Sequence, residues 1–171
     1  MSNTFFCSDH HLGHANILVF KNSDGSNLRS FSNIDEMHET LIERHNSVVA
    51  ASDRVYFLGD VCINKKYLHL LHRFNGRKVL VKGNHDIFKL DQYIEYFDDI
   101  RGSHQFKGLV MSHIPIHPES LSRWGFNVHG HLHNNVVTLN NQPDSRYFNV
   151  SVERLVNYTP YSLDEIMSHK P

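Results

Sequence analysis

The chain has 171 residues, 40% of them hydrophobic, which is enough for one domain with a buried core and leaves little room for a second. Its 17 Lys and Arg residues nearly balance its 18 Asp and Glu residues, so the net charge gives no general affinity for nucleic acid or an anionic membrane. Residues 1–9 lack a signal-peptide pattern, and no run of about 18 apolar residues could span a bilayer. We therefore predict a single cytoplasmic domain over residues 1–171.

Histidine is the unusual residue in the composition. The chain contains 15 histidines and two cysteines, Cys7 and Cys62. Two cysteines cannot build a disulfide framework or a thiolate zinc site, and we expect both to be buried and inert beside apolar strands. Neutral imidazole is the commonest metal-binding side chain, so the histidines direct attention to the spacing of metal ligands.

The first predicted strand, Thr4–Cys7, ends in the polar sequence Ser-Asp-His-His-Leu-Gly-His. Side chains alternate along a strand, so Asp9 and His11 are expected on one face just beyond its end. The segment that follows, up to Arg29, is rich in Ser, Asn, Asp and Gly and predicts a loop over a site. Arg29 either stays in solvent, which is the favoured interpretation, or reaches a substrate.

Residues 33–51 give the clearest helical pattern. Asn33 or Ser32 would cap the start, acidic residues suit the first turn, and apolar residues recur at an approximately helical spacing. The two histidines of this helix, His38 and His45, are expected at the surface.

Two buried strands are predicted next. Residues 54–58 form a continuous apolar run, which predicts a strand covered on both faces, and Asp60 follows where that strand surfaces. After a second helical pattern at residues 65–74, the β-branched run at residues 79–81 predicts another strand. This strand ends in a turn at residues 83–86 that carries an amide, an imidazole and a carboxylate in succession. The lysines and arginines nearby are expected to form a solvated rim, with a phosphate-steering patch as the alternative.

The remainder of the chain continues the alternation of strand and helix patterns. A third helix is expected near residues 93–97, strands at 109–111, 127–130, 136–139 and 147–152, and a last helix around 163–167. His113 follows the first of these strands, and His131 and His133 follow the second. In α/β proteins, ligands bind in the crevice beyond the carboxyl ends of strands, so we expect these strand ends to converge.

The strand ends together supply a set of oxygen and nitrogen donors: Asp9, His11, Asp60, Asn84, His85, His113, His131 and His133. So many donors exceed what one catalytic metal needs. They suit two metals that share a bridging carboxylate, each with a position open for water or substrate.

Five short motifs occur in order along the chain: D-x-H at 9–11, G-D at 59–60, G-N-H-D at 83–86, S-H-x-P at 112–115 and G-H-x-H at 130–133. Together they resemble the motifs of the calcineurin-like metallophosphoesterases. They spread over most of the chain, which is similar to small uncapped members from bacteria and their phages. The resemblance implies an α/β fold, a four-layer αββα sandwich of two mixed β-sheets flanked by helices.

The resemblance also implies two divalent metal ions. One ion would be held by Asp9, His11 and His133, the other by Asn84, His113 and His131, and Asp60 would bridge them. Imidazole and carboxylate ligands without thiolate permit manganese, iron, nickel, cobalt or zinc, and manganese is the metal that we expect.

Further roles follow from the same resemblance. His85 would be the general acid at the leaving oxygen, with Asp86 orienting its imidazole; a structural histidine and a turn-forming or helix-capping carboxylate are the alternatives. From its position in the turn of the first motif, and not from the resemblance, His14 is expected either to contact the substrate phosphate or to cap the following helix. Ser151 and Glu153 replace the Gly and Asp of related tails, and since neither is expected to touch a metal ligand, we expect the chemistry to be unaffected.

The implied activity is hydrolysis of phosphodiesters of nucleotide type by a hydroxide that bridges the two metals. A phosphomonoesterase with the same site, a non-catalytic binding scaffold and a mononuclear metal protein are the alternatives. The expected partner is a small phosphoester, with nucleic acid bound only as a strand end or short oligonucleotide and no membrane. Trp124 and Phe126 could stack on a base, although core packing is favoured for both.

Overall fold

Two mixed β-sheets form the centre of the fold. The computed structural model describes residues 2–171. The strands are β1 (Thr4–Cys7), β2 (Arg54–Phe57), β3 (Arg77–Val81), β4 (Asp99–Arg101), β5 (Ser103–Phe106), β6 (Leu109–Ser112), β7 (Asn127–His129), β8 (Thr138–Leu139), β9 (Gln142–Pro143), β10 (Tyr147–Asn149) and β11 (Tyr161–Ser162). The α-helices are α1 (Ile34–Val48), α2 (Leu90–Tyr93) and α3 (Leu163–Ser168). Short 3₁₀ helices cover Ala15–Leu18, Lys65–Arg73, Pro118–Arg123, Val152–Arg154 and Val156–Tyr158.

The first sheet has the strand order β11-β1-β2-β3-β4, and the second has the order β10-β7-β6-β5. Strands β1 to β4 run parallel, and β11 pairs antiparallel with β1. In the second sheet β10, β7 and β6 are parallel, and β5 is antiparallel to β6. Two mixed sheets with flanking helices confirm the predicted α/β fold.

The two faces of the first sheet are buried in two different hydrophobic clusters. Alternation along β1 and β2 sends Phe5 and Val55 to the side covered by α1, where they join Met37 of that helix. The same alternation sends Phe6 and Tyr56 to the opposite side, where they pack with residues of the second sheet. Burial on both faces explains why β2 reads as an uninterrupted apolar run.

Helix α1 begins close to the expected position, because the Asn33 side chain accepts a hydrogen bond from the backbone N–H of Glu36 at 2.9 Å. The expectation that His38 and His45 lie at the surface is wrong, since their exposed fractions are 2% and 1%. The Nε2 atom of His38 accepts a hydrogen bond from the N–H of Gly13 at 2.9 Å. A neutral imidazole with such a partner can be buried at little cost, so both histidines belong to the buried face.

Short and polar elements differ most from the sequence prediction. The second predicted helix is a 3₁₀ helix, Lys65–Arg73, and the third lies earlier in the chain, as α2. Strands β4 and β5 escaped prediction because they are short and carry polar residues. At residues 136–139 only the two residues of β8 are in a strand.

Within residues 2–171, no helix combines the length and the apolar character that crossing a membrane requires. The cytoplasmic location and the single-domain organisation expected from the sequence stay predictions.

Candidate metal centre

The five predicted motifs meet at the carboxyl ends of β1, β2 and β3 in the first sheet and of β6 and β7 in the second. Asp9 follows β1, Asp60 follows β2 and Asn84 follows β3. His113 follows β6, and His131 lies in the loop after β7. Parallel strands bring their carboxyl ends to the same edge of a sheet, so side chains that are far apart in sequence share one crevice.

One group of donors consists of Asp9, His11 and His133, whose ligand atoms all lie within 4.8 Å of one another. The Nε2 atom of His11 is 3.7 Å from Asp9 Oδ1 and also 3.7 Å from Asp60 Oδ2. Asp9 Oδ1 and both His11 ring nitrogens are buried and have no hydrogen-bond partner among the described residues. Buried polar atoms normally have partners, so these atoms leave a place that a bound cation would satisfy.

A second group consists of Asp60, His113 and His131, again with ligand atoms within 4.8 Å of one another. His113 Nε2 lies 3.2 Å from Asp60 Oδ2 and 3.0 Å from Asn84 Oδ1. His131 Nδ1 lies 3.3 Å from the same His113 nitrogen. Asp60 therefore reaches both groups with one carboxylate oxygen.

The hydrogen bonding of His113 tests whether these residues fit a metal. Its Nδ1 atom lies 2.7 Å from the carbonyl oxygen of Leu58, which can only accept, so Nδ1 carries the ring hydrogen. In the neutral imidazole Nε2 then presents a lone pair to the oxygen of Asp60, which is also an acceptor. Two hydrogen-bond acceptors that face one another must share a cation or a proton. Carboxylate, imidazole and amide groups are suitable ligands for a divalent metal ion. The residues thus fit the metal pair that the motifs imply.

The backbone at the site is unusual, because five of the seven predicted ligands have a left-handed conformation. Their φ angles are 60° at Asp9, 50° at His11, 53° at Asp60, 69° at His131 and 50° at His133. This conformation is disfavoured for residues with a Cβ, at about 1–3 kcal/mol each, and it concentrates at functional sites. Backbone bonds between the β1 and β2 turns support it, with Asp9 N–H donating to the Gly59 carbonyl at 3.0 Å.

The pKa shifts of Asp9 and His113 show that the carboxylates and the imidazoles of the site have complementary charges. Burial raises the pKa of Asp9, but the nearby imidazoles of His11, His113 and His133 lower it by a larger amount, so the net pKa lies below the usual range. Burial lowers the pKa of His113, but the hydrogen bond to Asp60 and the charge of Asp9 raise it more, so its net pKa is raised. The carboxylates are therefore ionised and attract positive charge into the crevice.

Arg29 was expected either in solvent or in contact with a substrate, and the structure shows neither position. Its exposed fraction is 1%, its Nε donates to Glu153 Oε1 at 2.8 Å, and one NH group donates to the His10 carbonyl at 2.8 Å. Another NH group donates to the Asp9 carbonyl. The guanidinium therefore points inward and is neither solvated nor open to a substrate, because the turn after β1 leaves carbonyl oxygens that it satisfies.

The C-terminal tail contacts two predicted ligands, which corrects the expectation that it touches none. Ser151 Oγ donates to Asp9 Oδ2 at 2.9 Å, and Glu153 Oε1 lies 3.0 Å from His133 Nδ1. The tail reaches the site because Ser8 and Ser151 form a parallel β-bridge beyond the end of β1. The one signal that the sequence offered was Ser-x-Glu after a strand pattern, with two polar side chains on one face.

The resemblance implied that Asp86 orients His85, but in the structure Asp86 has other partners. Its carboxylate accepts hydrogen bonds from the N–H groups of Asp60 at 2.8 Å, Val61 at 3.0 Å and Gly83 at 2.8 Å. The turn-forming alternative is therefore correct, and Asp86 ties the β3 turn to the β2 turn. A Cβ atom on Gly83 would lie 2.6 Å from the Asp60 nitrogen, so only glycine permits this approach.

His85 and His14 lie beside the donor groups without joining them. His85 is exposed, its N–H donates to Asp60 Oδ1 at 2.8 Å, and its ring centroid is 5.7 Å from that of His11. The His14 ring is half-buried, 5.8 Å from the His11 ring and 5.5 Å from Phe20. The His14 side chain makes no capping bond to the following turn, so the capping alternative is wrong. The acid role of His85 and the substrate contact of His14 stay predictions.

A third donor group, formed by Cys7, His10 and His45, lies outside this crevice. All three side chains are buried, and both imidazoles pack against Phe57 and Phe74. Burial lowers the pKa of His10 to about 3 and that of His45 to about 4, so both rings are neutral at ordinary pH. These histidines belong to the core between α1 and the first sheet.

Comparison with known proteins agrees with the geometry. A family model described as calcineurin-like phosphoesterase matches residues 3–170. An uncharacterized protein of Methanocaldococcus jannaschii is 38% identical over 176 residues, covering 98% of this chain and 90% of that protein. The gene 66 protein of Mycobacterium phage L5 is 36% identical over 91 residues, covering 50% of this chain and 41% of that protein.

A solved structure extends the likeness to the fold. The crystal structure of a protein of unknown function from Aquifex aeolicus matches with a TM-score of 0.73 at 25% identity, covering 98% of this chain and 99% of that chain. The family match spans almost the entire chain, and its motif residues meet in one crevice. The chain therefore belongs to the calcineurin-like phosphoesterases, a family of metal-dependent phosphoric ester hydrolases.

Proposed function

We propose that the protein hydrolyses phosphodiesters of nucleotide type with the help of two divalent ions. The proposed ligands are Asp9, His11 and His133 for one ion and Asn84, His113 and His131 for the other, with Asp60 between them. The observation that carries this proposal is the position of Asp60, whose Oδ2 atom lies 3.2 Å from His113 Nε2 and 3.7 Å from His11 Nε2. When bound, such an ion pair activates a water and stabilises negative charge on the phosphoryl oxygens.

The inward position of Arg29 supports a diester over a monoester as the substrate. Two divalent ions bring about four positive charges and the two ligand aspartates remove about two, which leaves a site suited to an anion. Arg29, the one arginine that the sequence placed near the site, is turned inward and paired with Glu153. A monoester dianion would gain from an additional cation at the phosphate, whereas a diester carries a single negative charge and does not need one.

His85 is proposed as the general acid. Its ring is exposed at the edge of the crevice and stands 5.7 Å from the His11 ring. The backbone of His85 is held by the bond from its N–H to Asp60 Oδ1, and the neighbouring His11 ring belongs to the proposed metal centre, which supports a position near the phosphate. An imidazole at this place can deliver a proton to a departing alkoxide, which a poor leaving group needs.

The proposed metal is manganese. Six of the proposed donors are carboxylates or imidazoles and the seventh is the Asn84 amide, a mixture of nitrogen and oxygen that soft-metal sites do not use. Iron, nickel, cobalt and zinc accept the same donors, so the test compares these metals on one protein preparation.

The test is a panel of phosphomonoesters, linear diesters and cyclic nucleotides, assayed with each metal in turn on the wild type and on Asp60→Asn. We expect manganese-dependent hydrolysis of diesters, abolished by a chelator and lost in Asp60→Asn. Faster hydrolysis of monoesters would favour the phosphatase alternative. Activity that survives complete metal removal, or an unimpaired Asp60→Asn, would refute the mechanism, and one metal per chain by elemental analysis would refute the pair.

A further inference from the structure

A cleft of about 490 Å³ opens directly beside the proposed metal centre. One wall carries the predicted ligands His131 and His133, and the other is the loop that follows the first motif, which includes Phe20 and Asn22. A larger cavity of about 900 Å³ lies at the β3–β4 edge of the first sheet, where no predicted ligand lines it. The smaller cleft is the one that a group attached to a bound phosphate would enter.

The outer wall of this cleft is an ordered loop. The Leu28 N–H donates to the Phe20 carbonyl at 2.8 Å, and the Asn22 N–H donates to the Ser26 carbonyl at 2.9 Å. The side chain of Asn134 donates to that of Asn22 at 3.3 Å, which connects the loop to the segment that carries His133. The first two bonds order the loop and the third joins it to the opposite wall, so the cleft is formed without a ligand.

Besides the two predicted ligands, the cleft is lined by the Phe20 ring, amide side chains, one cation, one serine and two leucines. The Phe20 side chain is 46% exposed, and its ring lies nearly perpendicular to that of His14, with centroids 5.5 Å apart. Asn134 and Asn135 supply amides, and Lys21 supplies the positive charge. An exposed aromatic face can stack on a base for about 1–3 kcal/mol, and amide groups can match the donors and acceptors at base edges.

We propose that this cleft binds the nucleoside part of the substrate, with Phe20 stacking on the base and Asn134 contacting its edge. This proposal rests on the proposed function, because the phosphate of the same ligand would lie at the metal centre. The cleft has the size of a small-ligand site, and its single aromatic face with amides suits a planar polar ring better than a lipid chain or a flexible polyol.

The test uses two diesters that share one leaving group, the p-nitrophenyl ester of thymidine monophosphate and methyl p-nitrophenyl phosphate. KM and kcat are measured with manganese-loaded wild type, Phe20→Leu, Phe20→Tyr and Asn134→Ala. Phe20→Leu is expected to raise KM for the thymidine ester about fivefold or more and KM for the methyl ester much less, and Phe20→Tyr is expected to restore KM for the thymidine ester. Val19→Ala is the matched control, since this neighbouring side chain is 69% exposed and does not line the cleft.

Calorimetric binding of thymidine monophosphate to the manganese-loaded protein gives a second measurement that does not require turnover. Weaker binding by Phe20→Leu, with inorganic phosphate bound equally by both proteins, would support the nucleoside cleft even if neither ester were hydrolysed and the proposed diesterase activity failed. Hydrolysis of both esters with equal changes in every Phe20 variant, or unchanged binding of thymidine monophosphate, would overturn the cleft proposal and leave the diesterase proposal intact.

Discussion

Glu153 Oε1 lies 3.0 Å from Nδ1 of His133, a predicted metal ligand. Because a carboxylate can only accept a hydrogen bond, it fixes the ring hydrogen on Nδ1 and leaves Nε2 of His133 free for a cation. Burial raises the pKa of Glu153, but the charge of Arg29 and the hydrogen bond to His133 lower it more, so the carboxyl is ionised. The tail residue therefore acts on the site through His133.

Replacing Glu153 by Gln should weaken metal binding. The amide lacks the negative charge that orients and polarises His133, and loss of such a partner typically lowers metal affinity about 10- to 100-fold. The measurement is competition for manganese against a chromogenic chelator, with a thermal melt to check folding, because Arg29 loses its buried counter-ion. The exposed Glu119→Gln is the control, and equal affinities of Glu153→Gln and wild type would contradict the prediction.

Replacing His85 by Ala should affect poor leaving groups selectively. General acid catalysis typically contributes about 100- to 10,000-fold, and nitrophenolate needs no proton to depart. We expect kcat to fall by this factor for alkyl diesters and to change little for p-nitrophenyl diesters, with the same metal content by elemental analysis. A similar loss for both classes of ester would assign His85 a structural role.

Replacing Gly130 by Ala should displace the first group of donors. A Cβ atom there would overlap Ser8 Oγ and Asp9 Oδ2, and the adjacent His131 N–H donates to that same Asp9 oxygen at 2.9 Å. We expect a loss of about 1–3 kcal/mol of stability and fewer than two metals per chain after equilibrium dialysis. Gly102→Ala is the control, because no atom lies within 4 Å of its Cβ position. Full metal content in Gly130→Ala would show that the turn can relax.

Acid should destabilise the metal-free protein partly through His45, whose pKa is lowered by burial to about 4. The unfolded chain has a histidine pKa of about 6.5, so between these pH values it binds a proton that the folded state does not, and the free energy of unfolding falls as the pH decreases. His45 should contribute up to about 1.4 kcal/mol per pH unit to the decrease in the free energy of unfolding below pH 6.5. His45→Gln should remove this contribution. Urea unfolding from about pH 7.5 to about pH 5 measures the difference.

The matched variant for this titration is His72→Gln, because the His72 side chain is 56% exposed. This variant shows the effect of the same substitution at an exposed position, whereas His45→Gln should gain stability relative to the wild type as the pH falls. A constant difference between His45→Gln and wild type across the whole range would exclude the titration of His45 as a cause.

The sequence predicted the parts of the site that depend on local pattern. Short apolar strands ending in Asp or His indicated where donors such as Asp9, Asp60 and His113 would lie, because parallel strands end at a common edge. The resemblance of five ordered motifs then implied how the donors divide into two groups. The structure brings these residues together, while their roles as ligands remain proposals.

The residues that sequence reasoning misplaced are those whose partners lie far away along the chain. Arg29 pairs with Glu153 across 124 residues, and Asp86 bonds to the backbone of Asp60 26 residues away. No periodicity encodes such contacts, since a charged side chain is equally compatible with solvent until its partner is known. His45 escaped prediction for a related reason, because a neutral histidine is compatible with either face of a helix.

The hydrogen bond from Ser151 Oγ to Asp9 Oδ2 joins residues 142 positions apart. This separation affects the order in which the contacts of the site form during folding. Closing so long a loop is entropically unfavourable and slow, and local contacts form sooner. The parallel strands β1, β2 and β3 can pair while Ser151 and Glu153 are still distant from Asp9 and His133. If the first group binds an ion as proposed, an ion that arrives before this closure would meet ligands without their supporting partners, and the full affinity would develop only after the tail has docked.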